Sequence, residues 1–215
     1  MELLEKQIAL FYRTSFEDPF EALALKLKEK LGNADTQYLP IPPNAPPEIP
    51  RLILSFQNFR IQFAKNRADI FFKSAVADIT ASVSAILGQI GPEKINRVGF
   101  VQKTFRESTL ADVLGLMKNP PDTAKELSVR VNTEKTVGDY PCNNIESINF
   151  VTAQKNVNGQ QAEVHGILQE RDINTVPSKS ADVHIADVAS LMTFLTALQG
   201  EADQSILLAQ HEHAN

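Results

Sequence analysis

The sequence contains a single cysteine, Cys142, and no tryptophan among its 215 residues. One cysteine cannot close a disulfide within the chain, and it cannot supply the thiolate cluster of a zinc or iron–sulfur site. A chain of this length buries enough apolar surface to fold without such cross-links. We therefore expect an ordinary hydrophobic core in a protein of a reducing compartment, the cytoplasm.

Long apolar runs are also absent. No stretch approaches the roughly 18 apolar residues of a membrane-spanning helix, and the N-terminus carries Glu2 and Glu5 where a secretory signal has basic residues. These two absences predict a soluble protein without a membrane partner.

Catalytic sequence motifs are missing as well. The sequence contains none of the patterns GxGxxG, GxxxxGK[ST], HExxH or GxSxG, which mark nucleotide, metalloprotease and hydrolase sites. His211 and His213 form an HxH pair, but no third metal ligand accompanies them at a suitable spacing. We predict that the protein uses no metal or cofactor and is not an enzyme.

A few reactive side chains remain without a motif. His165 is predicted to face Thr152 across a hairpin, which favours a polar pair over a general base. His184 is expected on the surface of the last helix. Cys142 is interpreted as a bystander thiol, with a lone nucleophile as the alternative. The charged residues 170–172 are interpreted as the solvated start of a loop.

The distribution of charge is the most specific feature that is present. The net charge is −5, yet residues 51–106 carry nine basic and three acidic side chains, a local balance of +6. Residues 1–50 have a balance of −3 and residues 107–215 one of −8. If the basic side chains share one face of a sheet, they predict a binding surface for an anionic partner. The candidate binding residues are Arg60, Lys65, Arg67, Lys73, Arg97, Lys103 and Arg106.

The N-terminal part of the chain predicts a strand and then a helix. Apolar side chains alternate in residues 7–13, as is typical of a half-buried strand. Asp18 is expected to cap a helix with Pro19 at its first position and Glu21 in a capping box. Gly32 is expected to end this helix.

A proline-rich segment and a meander of three strands come next. Six of the twelve prolines fall in residues 40–50, which indicates a rigid, extended connection. A two-residue turn at 57–58 would bring six apolar side chains of two strands onto one face. A second turn at 66–67 would pair Phe63 with Ile70. A helix over residues 78–90 is expected to follow.

From residue 96 the order of predicted elements starts again. The first elements are a strand over 98–105 and a helix capped by Ser108, with Met117 on its buried side and a stop at 119–121. A strand over 127–132 comes next. It is followed by a hairpin of 146–157 and 160–170 with its turn at 158–159, and by a helix from about residue 182. Similar residues recur at an offset of 90, which suggests a duplicated strand-helix-three-strand-helix unit.

Together these patterns predict an α+β fold, with a largely antiparallel sheet or sheets and helices packed on one face. The two halves are expected to comprise residues 1–92 and 93–215 within one compact body.

We expect a non-enzymatic cytoplasmic module that binds another protein through a charged sheet face. The first alternative is a nucleic-acid-binding module or a metal-independent ribonuclease that uses the basic block. The second is a small-ligand-binding protein with a cleft between the halves. The sequence leaves open whether the protein forms a homodimer.

Overall fold

A computed structural model describes residues 2–42, 44–73, 79–115, 125–157 and 159–204, with the backbone alone for residues 73, 157 and 180–182. Two short 3-10 helices lie at Pro92–Lys94 and Pro177–Asp182. The other elements of the described residues, in chain order, are β1 (Glu2–Tyr12), α1 (Phe20–Leu31), β2 (Asp35–Tyr38), β3 (Leu52–Ser55), β4 (Phe59–Phe63), β5 (Arg67–Lys73), α2 (Thr80–Ile90), β6 (Ile95–Glu107), α3 (Leu110–Leu114), β7 (Ser128–Val137), β8 (Tyr140–Val157), β9 (Gln160–Thr175) and α4 (Val188–Ala202).

These nine strands form one sheet in the order β2-β3-β4-β5-β1-β6-β9-β8-β7. Every neighbouring pair is antiparallel. The α+β prediction with a largely antiparallel sheet is therefore confirmed. The two central strands, β1 and β6, come from the two predicted halves, so the sheet runs without a break across the expected boundary at residue 92.

The two faces of the sheet differ because side chains alternate along each strand. Positions such as Leu10, Leu54, Ile61 and Ile70 are fully buried against α1, α2 and α4 in one hydrophobic cluster. α3 packs on the same side, where Val113 contacts Ile148 and Ile167. The remaining positions point to the opposite side, which we call the open face; in the part of the chain that the structure describes, no helix packs there.

The first hairpin has the predicted register, and the second differs by two residues. Leu52 lies opposite Phe63 and Leu54 opposite Ile61, as expected. Phe63, however, lies opposite Ala68 and not Ile70. The turn is at residues 65–66, closed by the Ala64 N–H donating to the Arg67 carbonyl at 2.9 Å. A shift of two residues keeps the same side chains buried, so the apolar pattern alone cannot distinguish the two registers.

Two predicted helix caps are corrected. In α1 Pro19 occupies the N-cap and no side chain caps the helix, so Asp18 has no capping role. In α3 the cap is Thr109, not Ser108, and Thr109 forms a capping box with Asp112. Both predictions placed the N-cap one residue too early in the sequence, at a position that is also occupied by a polar residue.

The last helix also begins later than predicted. α4 starts at Val188, and the Asp187 carboxylate accepts the Ser190 N–H at 2.7 Å. The segment before it forms a 3-10 helix at Pro177–Asp182. Ile185 is buried as expected, although it lies outside the helix. The predicted positions Met117 and 119–121 fall outside the described residues.

The two halves place their strands in a matching order. Outward from the centre, the first half runs β1, β5, β4, β3 and the second half runs β6, β9, β8, β7. α1 begins at Phe20 and α3 at Leu110, 90 positions apart. The first half has one additional strand, β2, which was not predicted. Whether the halves arose by duplication stays a prediction.

Candidate binding surface on the open face of the sheet

Five of the seven candidate basic residues occupy open-face positions. Arg60 lies on β4, Arg67 and Lys73 on β5, and Arg97 and Lys103 on β6. The strand registers place all five on the side opposite the helices. For Lys73 this placement rests on its backbone position opposite Glu5.

The other two candidates lie elsewhere. Lys65 is half-buried in the turn between β4 and β5, and its backbone N–H donates to the Pro47 carbonyl at 2.9 Å. Arg106 lies on the helix side, where its charge contributes to lowering the pKa of Asp112, after the larger effect of hydrogen bonds from Thr109. The seven residues therefore do not form one patch.

Three arginines of the open face lie in one row across the sheet. Phe11 on β1 is directly opposite Arg67 on one side and Arg97 on the other. Arg51 precedes β3 and joins the same row, since its N–H donates to the Phe63 carbonyl beside the Ala64–Arg67 turn. We call Arg51, Arg67 and Arg97, together with Phe11, the arginine row.

Within the arginine row, two guanidinium groups flank one aromatic ring. The guanidinium carbon of Arg67 lies 4.8 Å from the centroid of Phe11, and that of Arg97 lies 4.4 Å from it. Both distances suit cation–π attraction. Stacking on the ring holds the two side chains in place and leaves their outer N–H groups as donors.

Only one carboxylate is bonded directly to this row in the part of the chain that the structure describes. The Arg67 guanidinium forms a salt bridge with Asp69, which also accepts a hydrogen bond from Gln7 at 2.9 Å. For Arg97, burial and the nearby charge of Arg67 lower the pKa, while Asp172 has the opposite effect. Arg97 has no ion pair within 4.0 Å among the described residues.

The rest of the open face is more nearly neutral. Lys103 lies between two carboxylates, 3.3 Å from Glu5 and 3.7 Å from Glu170. Arg60 is exposed, and its guanidinium carbon lies 4.8 Å from the centroid of the Phe71 ring. The basic residues thus contribute unequally: Arg60 and Arg97 have no carboxylate within 4.0 Å among the described residues, whereas Arg67 and Lys103 already have carboxylate partners.

The predicted cross-strand pair on the hairpin is present. Thr152 lies opposite His165, and its Oγ1 is 3.0 Å from the imidazole Nδ1. The Phe150 ring stacks on the imidazole with a centroid separation of 6.3 Å. These contacts use the histidine as part of the hairpin surface, as the sequence indicated.

The other reactive groups are not assembled into a site. Burial raises the pKa of the Cys142 thiol to about 11, so it is protonated at neutral pH and does not suit a nucleophile. His211 and His213 lie outside the described residues. Within the described ranges, no three His, Cys, Asp or Glu side chains come together in a way that would hold a metal ion.

One charged cluster is more deeply buried than predicted. Residues 170–172 belong to β9 and not to a solvated loop. Glu170 and Asp172 face the open side, but Arg171 points under α4, where it is 3% exposed and donates to Glu146 at 2.8 Å. The sequence reasoning missed this pair because burial by α4 is not visible in the local sequence.

Sequence reasoning also missed Arg51 and Phe11 as members of the surface. Arg51 adjoins the alternating strand of Leu52 and Leu54, and this alternation already assigns it to the side opposite the buried residues. Phe11 gave no signal, because its neighbours in the row lie 56 and 86 positions further along the chain.

A search against models of known protein families found no match, and a search of curated proteins found no similar sequence. Among the residues that the structure describes, none of the helices combines the length and apolar composition needed to span a bilayer. The candidate site therefore rests on the geometry of the open face.

Proposed function

We propose that this protein is a non-enzymatic interaction module of the cytoplasm that binds an acidic region of another protein through the open face of its sheet. The observation that carries the proposal is the arginine row, with guanidinium groups stacked on Phe11 on a sheet face that no described helix covers. A cytoplasmic location fits the single, buried cysteine, which needs no oxidising compartment.

The dimensions of the open face suit a protein partner. Nine strands spaced about 4.8 Å apart give a width of roughly 38 Å. Measured along the strands, the distance from the arginine row, which includes Arg51, to the row that contains Glu5 is about 20 Å at the usual rise per residue. Such an area is comparable with the roughly 800 Å² that each partner contributes to a standard interface.

The composition of the face is also typical of an interface. Arginine and aromatic side chains are enriched at the centres of protein interfaces. Arg60 with Phe71 and Arg97 with Phe11 provide two such pairs. Because the guanidinium groups are already held on rings, little side-chain entropy is lost when a partner binds.

A nucleic-acid-binding function is the second candidate, because arginine side chains stacked on aromatic rings also bind bases and phosphates. The open face carries Asp69, Asp172, Glu5 and Glu170 among the basic residues, and these carboxylates oppose a continuous phosphate backbone. The proposed cleft between the halves has less support, since β1 and β6 pair directly along the boundary.

Pull-down from the native cytoplasm with charge-reversed variants tests the proposal. The double variant Arg60→Glu with Arg97→Glu should lose the captured protein, and its melting temperature, measured alongside, establishes that the variant is folded. The control is Lys26→Glu with Lys30→Glu, which alters net charge equally but changes two exposed side chains of α1, on the opposite side of the sheet.

The comparison of the two variants decides the outcome. Loss of the same protein from the first variant alone supports the open face as the interface. Equal capture by both variants contradicts the proposal. Recovery of nucleic acid in place of protein, with binding that weakens steeply as salt increases, establishes the second candidate instead.

A further inference from the structure

The arginine row has more hydrogen-bond donors than acceptors. Each guanidinium has five N–H donors, and the row contains three guanidinium groups with Asp69 as the one directly bonded carboxylate among the described residues. Nε of Arg51, of Arg67 and of Arg97 is inaccessible to solvent and has no hydrogen-bond partner in the described part of the chain. The Nη2 atom of Arg51 is in the same situation. An anion held by the outer N–H groups of the row would offset the positive charge that is concentrated there.

From this arrangement we propose that the arginine row is the binding site of one phosphoryl group, presented by a phosphorylated side chain of the protein partner. The inference rests on the proposed function and specifies the chemistry that the open face recognises.

The spacing of the guanidinium groups favours a phosphoryl group over a carboxylate. Arg67 and Arg97 flank the same ring at 4.8 Å and 4.4 Å from its centroid, so an anion at the outer edge of Phe11 would lie between the two guanidinium groups. A carboxylate has two oxygens and is satisfied by one bidentate arginine. A phosphorylated side chain has three strongly accepting oxygens and close to two negative charges, and therefore bridges two or more guanidinium groups.

The surroundings favour one isolated phosphate over a nucleic-acid backbone. The next row across the same face contains Asp69, and the rows beyond it contain Asp172, Glu5 and Glu170. A chain of phosphates that ran along the strands from the arginine row would meet these carboxylates. A single dianion that stays within the row avoids them.

The first experiment measures binding of inorganic phosphate by NMR at pH 7.5 and constant ionic strength. The side-chain Nε–H signals of Arg67 and Arg97 should shift and saturate at millimolar phosphate, whereas addition of chloride should not shift them in this way. Arg97→Gln should weaken this binding at least tenfold. Arg97→Lys keeps the positive charge but loses the planar set of guanidinium donors. Its affinity for phosphate should therefore lie between that of the unchanged protein and that of Arg97→Gln.

The matched control is Arg130→Gln, which removes an exposed arginine from the same face at the opposite edge strand. It should bind phosphate like the unchanged protein. Equal shifts at every arginine, or shifts that do not saturate, contradict the proposal. If Arg97→Gln does not fold, the Arg97→Lys variant provides the same comparison.

The second experiment identifies the source of the phosphoryl group. The captured partner is treated with a protein phosphatase, or the complex is challenged with single-stranded RNA. Loss of the complex after phosphatase, with no displacement by RNA, is the expected result. A complex that survives phosphatase treatment overturns the inference, while the proposed function stands as long as the Arg60→Glu, Arg97→Glu variant still fails to capture the partner. Displacement by RNA assigns the site to nucleic acid and contradicts both.

Discussion

The two halves of the sheet bury their helix-facing sides in different ways. In the first half, the face under α1 and α2 is apolar and includes Leu54, Ile61 and Ile70, none of which has measurable exposure. In the second half, the face near the end of α4 contains Glu146 and Arg171, which are 0% and 3% exposed. The helix-facing side of the sheet is therefore packed with apolar side chains in the first half, whereas in the second half it also contains a buried polar network.

The polar network connects the sheet to the end of α4. Arg171 donates to Glu146 and Asn144 at 2.8 Å each, and to the Glu201 carbonyl at 3.1 Å. Gln169 donates to the other oxygen of Glu146 at 2.6 Å. Because the carbonyls at a helix C-terminus lack partners within the helix, Arg171 acts as a buried C-terminal cap.

Breaking the polar network should have the largest effect on stability. Arg171→Met leaves the Glu146 carboxylate buried without its cation, and we expect a loss of about 3–5 kcal/mol in the free energy of unfolding measured with urea. The double variant Arg171→Met, Glu146→Met should recover at least half of this loss, because no uncompensated charge remains. A single variant as stable as the unchanged protein would show that the pair is not buried.

Truncation of a buried apolar side chain in the first half should have the next largest effect on stability. Leu54→Ala removes a fully buried side chain and should lower the free energy of unfolding by about 3 kcal/mol, within the usual range for leucine in a core. Its chain neighbour Ile53 is half-buried on the open face, so Ile53→Ala should cost less than half as much. Equal losses from the two variants would contradict the assignment of the faces.

Two glycine substitutions should have small and opposite effects. Gly88 lies in α2, where a methyl group in place of its α-hydrogen would meet no atom within 4 Å beyond its chain neighbours and the backbone of its own helix, so Gly88→Ala should stabilise the protein by about 0.5–1 kcal/mol. Gly159 has φ +83° in the hairpin turn, so Gly159→Ala should destabilise it by about 1 kcal/mol. Hydrogen exchange should locate the second effect in the β8–β9 hairpin. A stabilising Gly159→Ala would show that the turn has another conformation.

The capping carboxylate of α4 should produce the smallest effect, visible in its pH dependence. Hydrogen bonds from Ser190 lower the pKa of Asp187 in the folded protein. Its contribution to stability is therefore full above the unfolded pKa of about 3.9 and is lost as the pH falls through the lower folded value. The stability of Asp187→Ala should approach that of the unchanged protein below about pH 4. A difference that stays constant from pH 7 to pH 2 would contradict this role.

Local alternation was sufficient to predict the buried apolar side chains of β1, β3 and β4. The hairpin register that aligns Thr152 with His165 also aligns Glu146 with Arg171. Alternation repeats every two residues, however, so it could not choose between Ala68 and Ile70 as the partner of Phe63. The turn at residues 65–66 makes that choice.

The candidate site was only partly predictable. Charge counting found Arg60, Arg67 and Arg97, but it also included Arg106, which lies on the helix side, and Lys103, which two carboxylates neutralise. The arginine row depends on β1 lying between β5 and β6, a pairing of segments far apart in sequence. No local pattern specifies such a pairing.

Arginine modification with phenylglyoxal, compared between the free protein and its complex with the captured partner, tests the binding face most directly. We expect Arg60 and Arg97 to react at least tenfold more slowly in the complex, while Arg106 on the helix side reacts at its free rate. Protection of Arg106 together with unchanged reactivity of Arg60 and Arg97 would show that the partner binds elsewhere.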